Sequence, residues 1–312
     1  TVNRLCASGL EAVAQAARAI VAGEGHVFVA GGVESMSRAP WAMARPARAY
    51  PRGNVTLFDT ALGWRWTNPR LEAAGHTDSL GQTAENLAVE GKISRAAQDA
   101  FALASHRKAV AAQGAGAFAD ELVPVATKAG EIATDECPRR DTTLERLGKL
   151  EPAFATGGTV TAGNSSPLND GAAALLVTSD AYARAHRLEP LARIRASAVA
   201  GVPPRIMGIG PVPAARKALE RARLGLGDLG VIELNEAFAA QSLAVLAGWG
   251  LAADDARVNP DGGAIALGHP LGCSGARILT TLVHSLRRRG KPLGLATMCI
   301  GVGQGIAMVV ER

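Results

Sequence analysis

The chain has 312 residues, of which 48% are hydrophobic and 20% charged, enough apolar material for about two domains. This composition excludes wholesale disorder and a coiled coil. The formal charge of +5 comes from scattered basic residues, and only 4% of the residues are aromatic. With few aromatic side chains to stack on bases, nucleic acid is not expected as a partner, whereas a modest basic excess suits a small polyanion.

The four cysteines are widely spaced and form no CxxC pair, so they indicate neither a disulfide framework nor a metal site (Cys6, Cys137, Cys273 and Cys299). The longest uncharged stretch, residues 293–310, is rich in glycine, and we interpret it as strand, glycine loop and strand rather than a membrane helix.

The first residue is Thr and no signal-peptide layout follows it. We therefore expect a cytoplasmic protein whose sequence is processed or truncated at its start.

The first predicted elements are a helix over residues 7–22, ended by Gly23, and a short apolar strand over 26–30, closed by Gly31 and Gly32. This order indicates alternation of strands and helices and a largely parallel sheet.

An inserted region follows, over about residues 36–163, with tryptophans, Pro- and Arg-rich connections and a helix over 94–113. A buried strand is predicted at 171–178, and residues 188–190 form a linker into a second unit.

The second unit partly echoes the first. Ser8 and Gly9 open a helix that a strand and glycines follow, and Ser274 and Gly275 open another with the same succession. The pattern indicates a duplicated half, although an echo of two small residues also arises by chance.

Cys6 stands at the start of the first predicted helix, where unpaired N–H groups and the helix dipole favour a thiolate. It is a candidate nucleophile that needs a lowered pKa or a nearby base. The alternative is a small buried side chain with no chemical role.

Three more polar positions have the surroundings of catalytic groups. His269 lies between Gly268 and Pro270 in an apolar turn and suits a general base, or else is a hydrogen-bonded loop histidine. Cys299 ends a predicted strand beside glycine N–H groups that can hold an oxyanion. Asn235 precedes a buried helix, where an N-cap explains it nearly as well as catalysis does.

Taken together, four motifs resemble those of the thiolases, CoA-dependent acyltransferases: residues 3–9 (NRLCASG), 235–239 (NEAFA), 268–270 (GHP) and 299–301 (CIG). Further matches extend along essentially the whole chain. The resemblance implies an α/β thiolase fold of two related βαβαβαββ halves and a homodimer or homotetramer. It implies a first half at 1–187, with an inserted CoA-binding loop domain at about 37–165, and a second half at 188–312. Since thiolases carry a strand–helix portion ahead of the nucleophile, we expect the first half to be incomplete.

The resemblance also implies residue roles. Cys6 is the acylated nucleophile, His269 activates it, and Cys299 shuttles the proton of the acetyl-CoA α-carbon. One oxyanion site is formed by His269 and a water held by Asn235, and another by the N–H groups of Cys6 and Gly301. Both are needed because Claisen chemistry stabilises a tetrahedral oxyanion and an enolate.

For CoA, which serves as co-substrate with no permanently bound cofactor, the resemblance implies a cation at Arg139 beside the nucleotide end. The matching pantetheine and substrate positions are Phe154, Ala162, Ser166, Met207, Ala237 and Phe238.

Residues 59–66 and 208–213 look most like the thiolases that act on 3-oxoadipyl-CoA, and Ser79-Leu80 replaces the His-Met typical of acetoacetyl-CoA thiolases. We therefore predict cleavage of 3-oxoadipyl-CoA to succinyl-CoA and acetyl-CoA. The alternatives are an acetoacetyl-CoA or broad-chain thiolase, and an inactive truncated CoA-binding protein. Arg65 is our candidate for holding the distal carboxylate, against the alternative of a surface arginine stacked on an indole.

Overall fold

The computed structural model describes residues 1–312. Ten α-helices run in chain order: α1 (Ser8–Val21), α2 (Pro69–Ala73), α3 (Leu80–Glu90), α4 (Arg95–Gly114), α5 (Leu144–Gly148), α6 (Asp180–Ala185), α7 (Pro211–Ala222), α8 (Ala239–Trp249), α9 (Ala264–Leu267) and α10 (Leu271–Arg289). Ten strands accompany them: β1 (Val27–Glu34), β2 (Trp41–Ala42), β3 (Phe58–Asp59), β4 (Val125–Thr127), β5 (Gly130–Ile132), β6 (Gly171–Thr178), β7 (Arg193–Gly201), β8 (Val231–Leu234), β9 (Leu293–Ile300) and β10 (Gln304–Glu311).

The N-terminal half is built on α1 and the antiparallel pair of β1 and β6. Helix α1 buries Leu10, Val13 and Ala14, which fall on one face at helical spacing. The predicted helix at 7–22 and a strand at 171–178 are confirmed, but the expectation that this strand is buried is wrong, because β6 alternates between partly buried and exposed residues.

The prediction that Gly31 and Gly32 close the first strand is wrong, because β1 continues through both to Glu34. These two glycines allow neighbouring backbone segments to pack closely against β1, and they do not form a turn. A Cβ on Gly31 would lie 2.1 Å from the Ala173 carbonyl oxygen on β6, and one on Gly32 would lie 1.9 Å from the Gly272 carbonyl oxygen on α10.

The C-terminal half holds a four-stranded sheet in the order β7, β10, β9, β8. Strand β10 is antiparallel to both neighbours, and only β8 and β9 are parallel. The expectation of a largely parallel sheet is therefore wrong. Continuous apolar strands indicate burial on both faces, as in a parallel sheet, but antiparallel strands covered on both faces have the same composition. The predicted strand, glycine loop and strand at 293–310 are confirmed by β9 and β10.

Helices α1 and α10 pack against each other between the two sheets through the small residues that echo in the sequence. A Cβ on Gly9 would lie 2.7 Å from the Ala276 backbone nitrogen, and one on Gly275 would lie 2.4 Å from that of Leu10. Each helix is followed by a strand that pairs antiparallel with a later one. The two helices thus occupy equivalent places in related halves, and this close contact brings their N-terminal ends into one region.

Between β1 and β6 the chain forms the inserted region, which carries α2 to α5. Its longest helix, α4, is capped by Ser94 and confirms the helix predicted at 94–113. Helix α4 packs on α8 and α9 of the C-terminal half, so the insertion is attached to the segment that carries His269. No helix of the chain has the length and hydropathy needed to cross a membrane.

Candidate active site

Cys6 lies immediately before Ala7, the N-cap of α1, and its side chain is buried. Burial raises the pKa of the Cys6 thiol, and the backbone N–H of Gly301 opposes that effect without cancelling it. Backbone N–H groups favour the thiolate as expected, but burial outweighs them, so Cys6 stays protonated. A protonated thiol needs a base to become a nucleophile.

His269 has the properties of that base. It is buried, and burial, assisted by the charge of Arg277, lowers its pKa to about 3, so the ring is neutral at pH 7. Its Nδ1 lies 2.6 Å from Oγ of Ser274, and that hydroxyl donates to the Pro270 carbonyl at 3.0 Å. Because the hydroxyl proton is used on Pro270, the oxygen accepts from Nδ1–H, which leaves Nε2 free to accept a proton.

Asn235 lies beside His269. Its Nδ2 is 3.4 Å from both ring nitrogens of His269, and its backbone N–H donates to the Thr297 carbonyl on β9 at 3.0 Å. The N-cap alternative is wrong, since α8 begins at Ala239 with Phe238 as its N-cap residue. Oδ1 of Asn235 is buried and has no hydrogen-bond partner in the protein, which suits a residue that holds a solvent or substrate group.

Cys299 is the second to last residue of β9 and is buried. Burial raises its pKa, and the neighbouring Cys6 raises it further. The two thiols are therefore close enough to influence each other, and both are protonated at rest. A buried, protonated thiol can deliver a proton to carbon and take it back.

The loop after β9 holds strained backbone. Val302, directly after Gly301, has a φ of 67°, and Leu5, directly before Cys6, has a φ of 49°. Such values are costly for branched side chains and persist where the surroundings enforce them. A Cβ on Gly301 would lie 3.4 Å from Leu5 and 3.8 Å from Leu80. The side chains of Leu5 and Leu80 therefore both lie beside Gly301.

Most of the predicted pantetheine positions gather next to Cys299. Met207, Ala237 and Phe238 belong with Cys299 to one buried apolar cluster, and Phe154 meets Phe238 edge to face at 5.9 Å. Ser166 donates from both its backbone N–H and its hydroxyl to the Ala237 carbonyl. Three of the predicted contacts thus belong to this apolar cluster, and Phe154 and Ser166 contact it.

The other two predicted CoA positions, Arg139 and Ala162, line a cavity of about 280 Å³ in the inserted region. Arg146 and His106 line it as well, and the Arg139 backbone N–H donates to Nδ1 of His106 at 3.2 Å. Arg146 is ion-paired with Asp141, which also lines the cavity, so Arg139 is the guanidinium there without an ion-pair partner and the one suited to a phosphate. No group of three or more His, Cys, Asp or Glu side chains in the chain is placed to hold a metal ion.

Arg65 lies outside these groups. Its Nη1 donates to the Gly63 carbonyl of its own loop at 2.9 Å. The adjacent Trp64 donates from Nε1 to the Asp78 carbonyl at 3.2 Å, which ties the loop to the start of α3, where Leu80 borders Gly301.

Sequence reasoning missed the polar groups that hold the catalytic side chains. The sequence marks Ser274 only as a residue that opens a helix, yet its hydroxyl fixes the His269 ring. Glu236 entered only as part of a motif, and its buried partners Ser105 and Asn259 carried no signal at all. The spacing from Ser274 to His269 is the one local signal that was available.

The family of the chain follows from comparison with known proteins. The family model described as the thiolase N-terminal domain matches residues 1–181, and that described as the thiolase C-terminal domain matches residues 188–312. The chain belongs to the thiolase family. The predictions of an acyltransferase that uses CoA as co-substrate are confirmed at the level of the family.

Among individual proteins, the chain is 55% identical over 316 residues to the beta-ketoadipyl-CoA thiolase of Pseudomonas knackmussii, with 100% of this chain and 79% of the relative covered. It is 55% identical over 317 residues to the 3-oxoadipyl-CoA/3-oxo-5,6-dehydrosuberyl-CoA thiolase of Escherichia coli, with the same coverage. The acetyl-CoA acetyltransferase of Escherichia coli is 53% identical over 317 residues, again covering 100% and 79%.

The fold also matches solved structures. Human mitochondrial 3-ketoacyl-CoA thiolase in complex with CoA superposes with a TM-score of 0.93 at 44% identity, covering 100% of this chain and 77% of that one. The acetyl-CoA acetyltransferase of Bacillus anthracis gives 0.92 at 43% identity, with coverage of 100% and 78%. The predicted thiolase fold is confirmed.

Proposed function

We propose that this enzyme cleaves 3-oxoadipyl-CoA with CoA and releases succinyl-CoA and acetyl-CoA. The observation that carries the proposal is that a neutral His269 contacts Asn235, whose backbone is bonded to β9, while β9 also carries the protonated thiol of Cys299, close enough for Cys6 to raise its pKa. The names of the most similar relatives support the choice of substrate.

In the first half-reaction, Nε2 of His269 takes the proton of Cys6 as its sulfur attacks the 3-keto carbon. The resulting oxyanion lies at the backbone N–H groups of Cys6 and Gly301. Its collapse breaks the bond between C2 and C3, leaves a succinyl thioester on Cys6 and releases acetyl-CoA as an enolate. The proton now on His269, together with a water held by Asn235, stabilises the enolate oxygen.

Cys299 protonates the enolate carbon, which gives acetyl-CoA and a Cys299 thiolate. In the second half-reaction that thiolate takes the proton of an incoming CoA thiol. The CoA sulfur attacks the succinyl thioester and releases succinyl-CoA, and Cys6 recovers its proton from His269. Every proton is returned, so the enzyme ends as it began.

We assign substrate binding to two regions. The apolar cluster that includes Cys299 suits the pantetheine arm, with Phe154, Ser166, Met207, Ala237 and Phe238 as its contacts. The cavity with Arg139 and Ala162 suits the phosphate-bearing end. Arg65 stays our candidate for the distal carboxylate of the acyl chain, supported by the Trp64 contact that ties its loop to the start of α3.

We further propose a first half at residues 1–187, with the insertion at about 37–165, and a second half at 188–312. A cytoplasmic location agrees with four unpaired cysteines. A homodimer or homotetramer would cover exposed apolar side chains such as Trp41, Val29 and Leu176.

The experiment is a comparison of substrates. Purified enzyme is supplied with CoA and either 3-oxoadipyl-CoA or acetoacetyl-CoA, and kcat/KM is measured for each. The proposal expects a clear preference for 3-oxoadipyl-CoA. A preference for acetoacetyl-CoA would favour the second candidate, an acetyl-CoA acetyltransferase, which the 53% identity to such an enzyme supports. No turnover of either substrate would favour a CoA-binding protein.

A further inference from the structure

The carboxylate of Glu236 is buried among hydrogen-bond donors. Oε2 accepts from Oγ of Ser105 at 2.6 Å and from the Ile265 backbone N–H at 3.1 Å, and Oε1 accepts from Nδ2 of Asn259 at 2.7 Å. Gly263 leaves room for the group, since a Cβ there would lie 2.1 Å from the Glu236 carboxyl carbon.

Each of these donors is fixed in its direction. The Asn259 amide pairs with both backbone groups of Leu234, so its oxygen faces the Leu234 N–H and its nitrogen faces Glu236. Ser105 accepts from the Gly263 N–H at 3.1 Å and gives its own proton to Glu236. A carboxylate, which only accepts, satisfies all three donors, whereas a protonated acid or an amide would set a proton against one of them.

Two of the hydrogen-bond donors to Glu236 lie in the segments that carry Asn235 and His269, the residues proposed to stabilise the enolate. Asn259 fastens the end of β8, directly before Asn235. Ile265 lies in α9, which ends two residues before His269. Ser105 lies on α4 of the inserted region. The Glu236 side chain therefore joins the end of β8 next to Asn235, the helix that precedes His269, and the insertion at one point.

We propose that ionised Glu236 is a positioning residue, which acts through Asn235 by holding its side chain where it stabilises the enolate of acetyl-CoA beside His269. The proposal rests on the proposed function, because it uses the enolate roles assigned to those two residues. Burial raises the pKa of Glu236, and the hydrogen bonds from Ser105, Asn259 and Ile265 oppose that effect.

Deuterium uptake into the methyl group of acetyl-CoA in D2O isolates enolate formation and is followed by mass spectrometry. Glu236→Gln should reduce the rate about 10- to 100-fold, the scale expected when reacting groups move by about 1 Å. Asn235→Ala should also reduce it. If Glu236 acts through Asn235, the double variant should exchange within about twofold of Asn235→Ala alone, whereas independent losses would multiply. Multiplying losses would overturn the proposal.

Chemical rescue separates positioning from general support. Glu236, Ser105 and Asn259 line a cavity of about 250 Å³ that is otherwise mostly apolar, and Glu236→Ala would extend it to the three donors. Formate should restore exchange in Glu236→Ala, while formamide, which is neutral and carries its own donors, should not. Equal rescue by both, or by neither, would contradict the need for an ionised acceptor.

Ser105→Ala provides a second variant should the Glu236 variants fail to fold. Ser105→Ala removes one hydrogen-bond donor to Glu236 and should slow deuterium exchange. In an enzyme that already carries Asn235→Ala, adding Ser105→Ala should cause no further loss of exchange. A further loss there would overturn the proposal. Glu121→Gln is the matched control, a largely buried glutamate whose one hydrogen-bond donor is Thr281, and it should exchange at the wild-type rate. Wild-type enzyme that shows no exchange would instead count against the proposed function, which keeps the two failures distinct.

Discussion

The Oγ atom of Ser274 lies 2.6 Å from Nδ1 of His269, one turn inside the helix that follows this histidine. The contact sets which ring nitrogen carries the proton at rest. It makes Nε2 the basic nitrogen of a ring whose pKa, about 3, is well below its usual value.

Ser274→Ala should therefore leave a folded enzyme whose ring can turn over and exchange tautomers. We expect kcat to fall about 10- to 100-fold, since the base is misplaced and not removed, with little change in the KM for CoA. Ser274→Thr, which keeps the hydroxyl, is the control. Steady-state kinetics of both variants test this expectation, and equal loss in the two would show that steric fit at α10 matters rather than the hydrogen bond.

The catalytic roles of Cys6, Cys299 and His269 can be distinguished by measuring acylation separately from cleavage of the carbon–carbon bond. Cys299→Ala should still take up an acyl group on Cys6 but lose carbon–carbon chemistry, because the proton donor to the enolate is gone. His269→Ala should slow both steps, since loss of a general base costs about 10²–10⁴-fold. Stopped-flow acylation and overall thiolysis are the measurements. Equal loss of acylation in the two variants would contradict this division of roles.

Arg65→Leu tests the acyl end. A carboxylate buried without a partner is costly, so loss of a cation that holds it should raise the KM for 3-oxoadipyl-CoA and leave acetoacetyl-CoA turnover nearly unchanged. Arg70→Leu, a change of the same kind nearby in the insertion, serves as control. Parallel effects of Arg65→Leu on both substrates would assign the side chain to loop structure, through its bond to the Gly63 carbonyl.

Glu121 makes stability depend on pH. Burial raises its pKa from 4.5 to about 7, so the folded state holds a proton that the unfolded chain releases near pH 4.5. The unfavourable contribution is absent below that pH, grows as pH rises towards 7 and is complete above it, with an upper value of about 3 kcal/mol. Glu121→Gln should therefore stabilise the protein at pH 8 more than at pH 5. Urea unfolding at both pH values is the measurement, and an equal effect at both would contradict the raised pKa.

How far the sequence could predict this protein depended on whether a signal was local. Cys6, His269 and Cys299 each stand in a short run of glycine and apolar residues that marks them. Strand directions were not predictable in this way, since β1 and β6 pair across the insertion and the same apolar residues fit either direction.

The polar side chains that support the catalytic residues could not be predicted from the sequence, because their partners are far away along the chain. Ser105 and Glu236 are 131 residues apart and meet only when α4 packs on the C-terminal half. Gly31 and Gly32 gave a turn signal, yet they serve close packing of a strand against its neighbours, which composition alone does not distinguish.

The proposed role of Cys6 as nucleophile is tested by identifying the residue that carries the acyl group. Enzyme mixed with 3-oxoadipyl-CoA in the absence of free CoA is quenched in acid, digested and analysed by mass spectrometry, with Cys6→Ala as control. We expect a succinyl thioester on Cys6 and none in the control. A succinyl group on Cys299 of the wild-type enzyme, with Cys6 unmodified, would contradict this expectation.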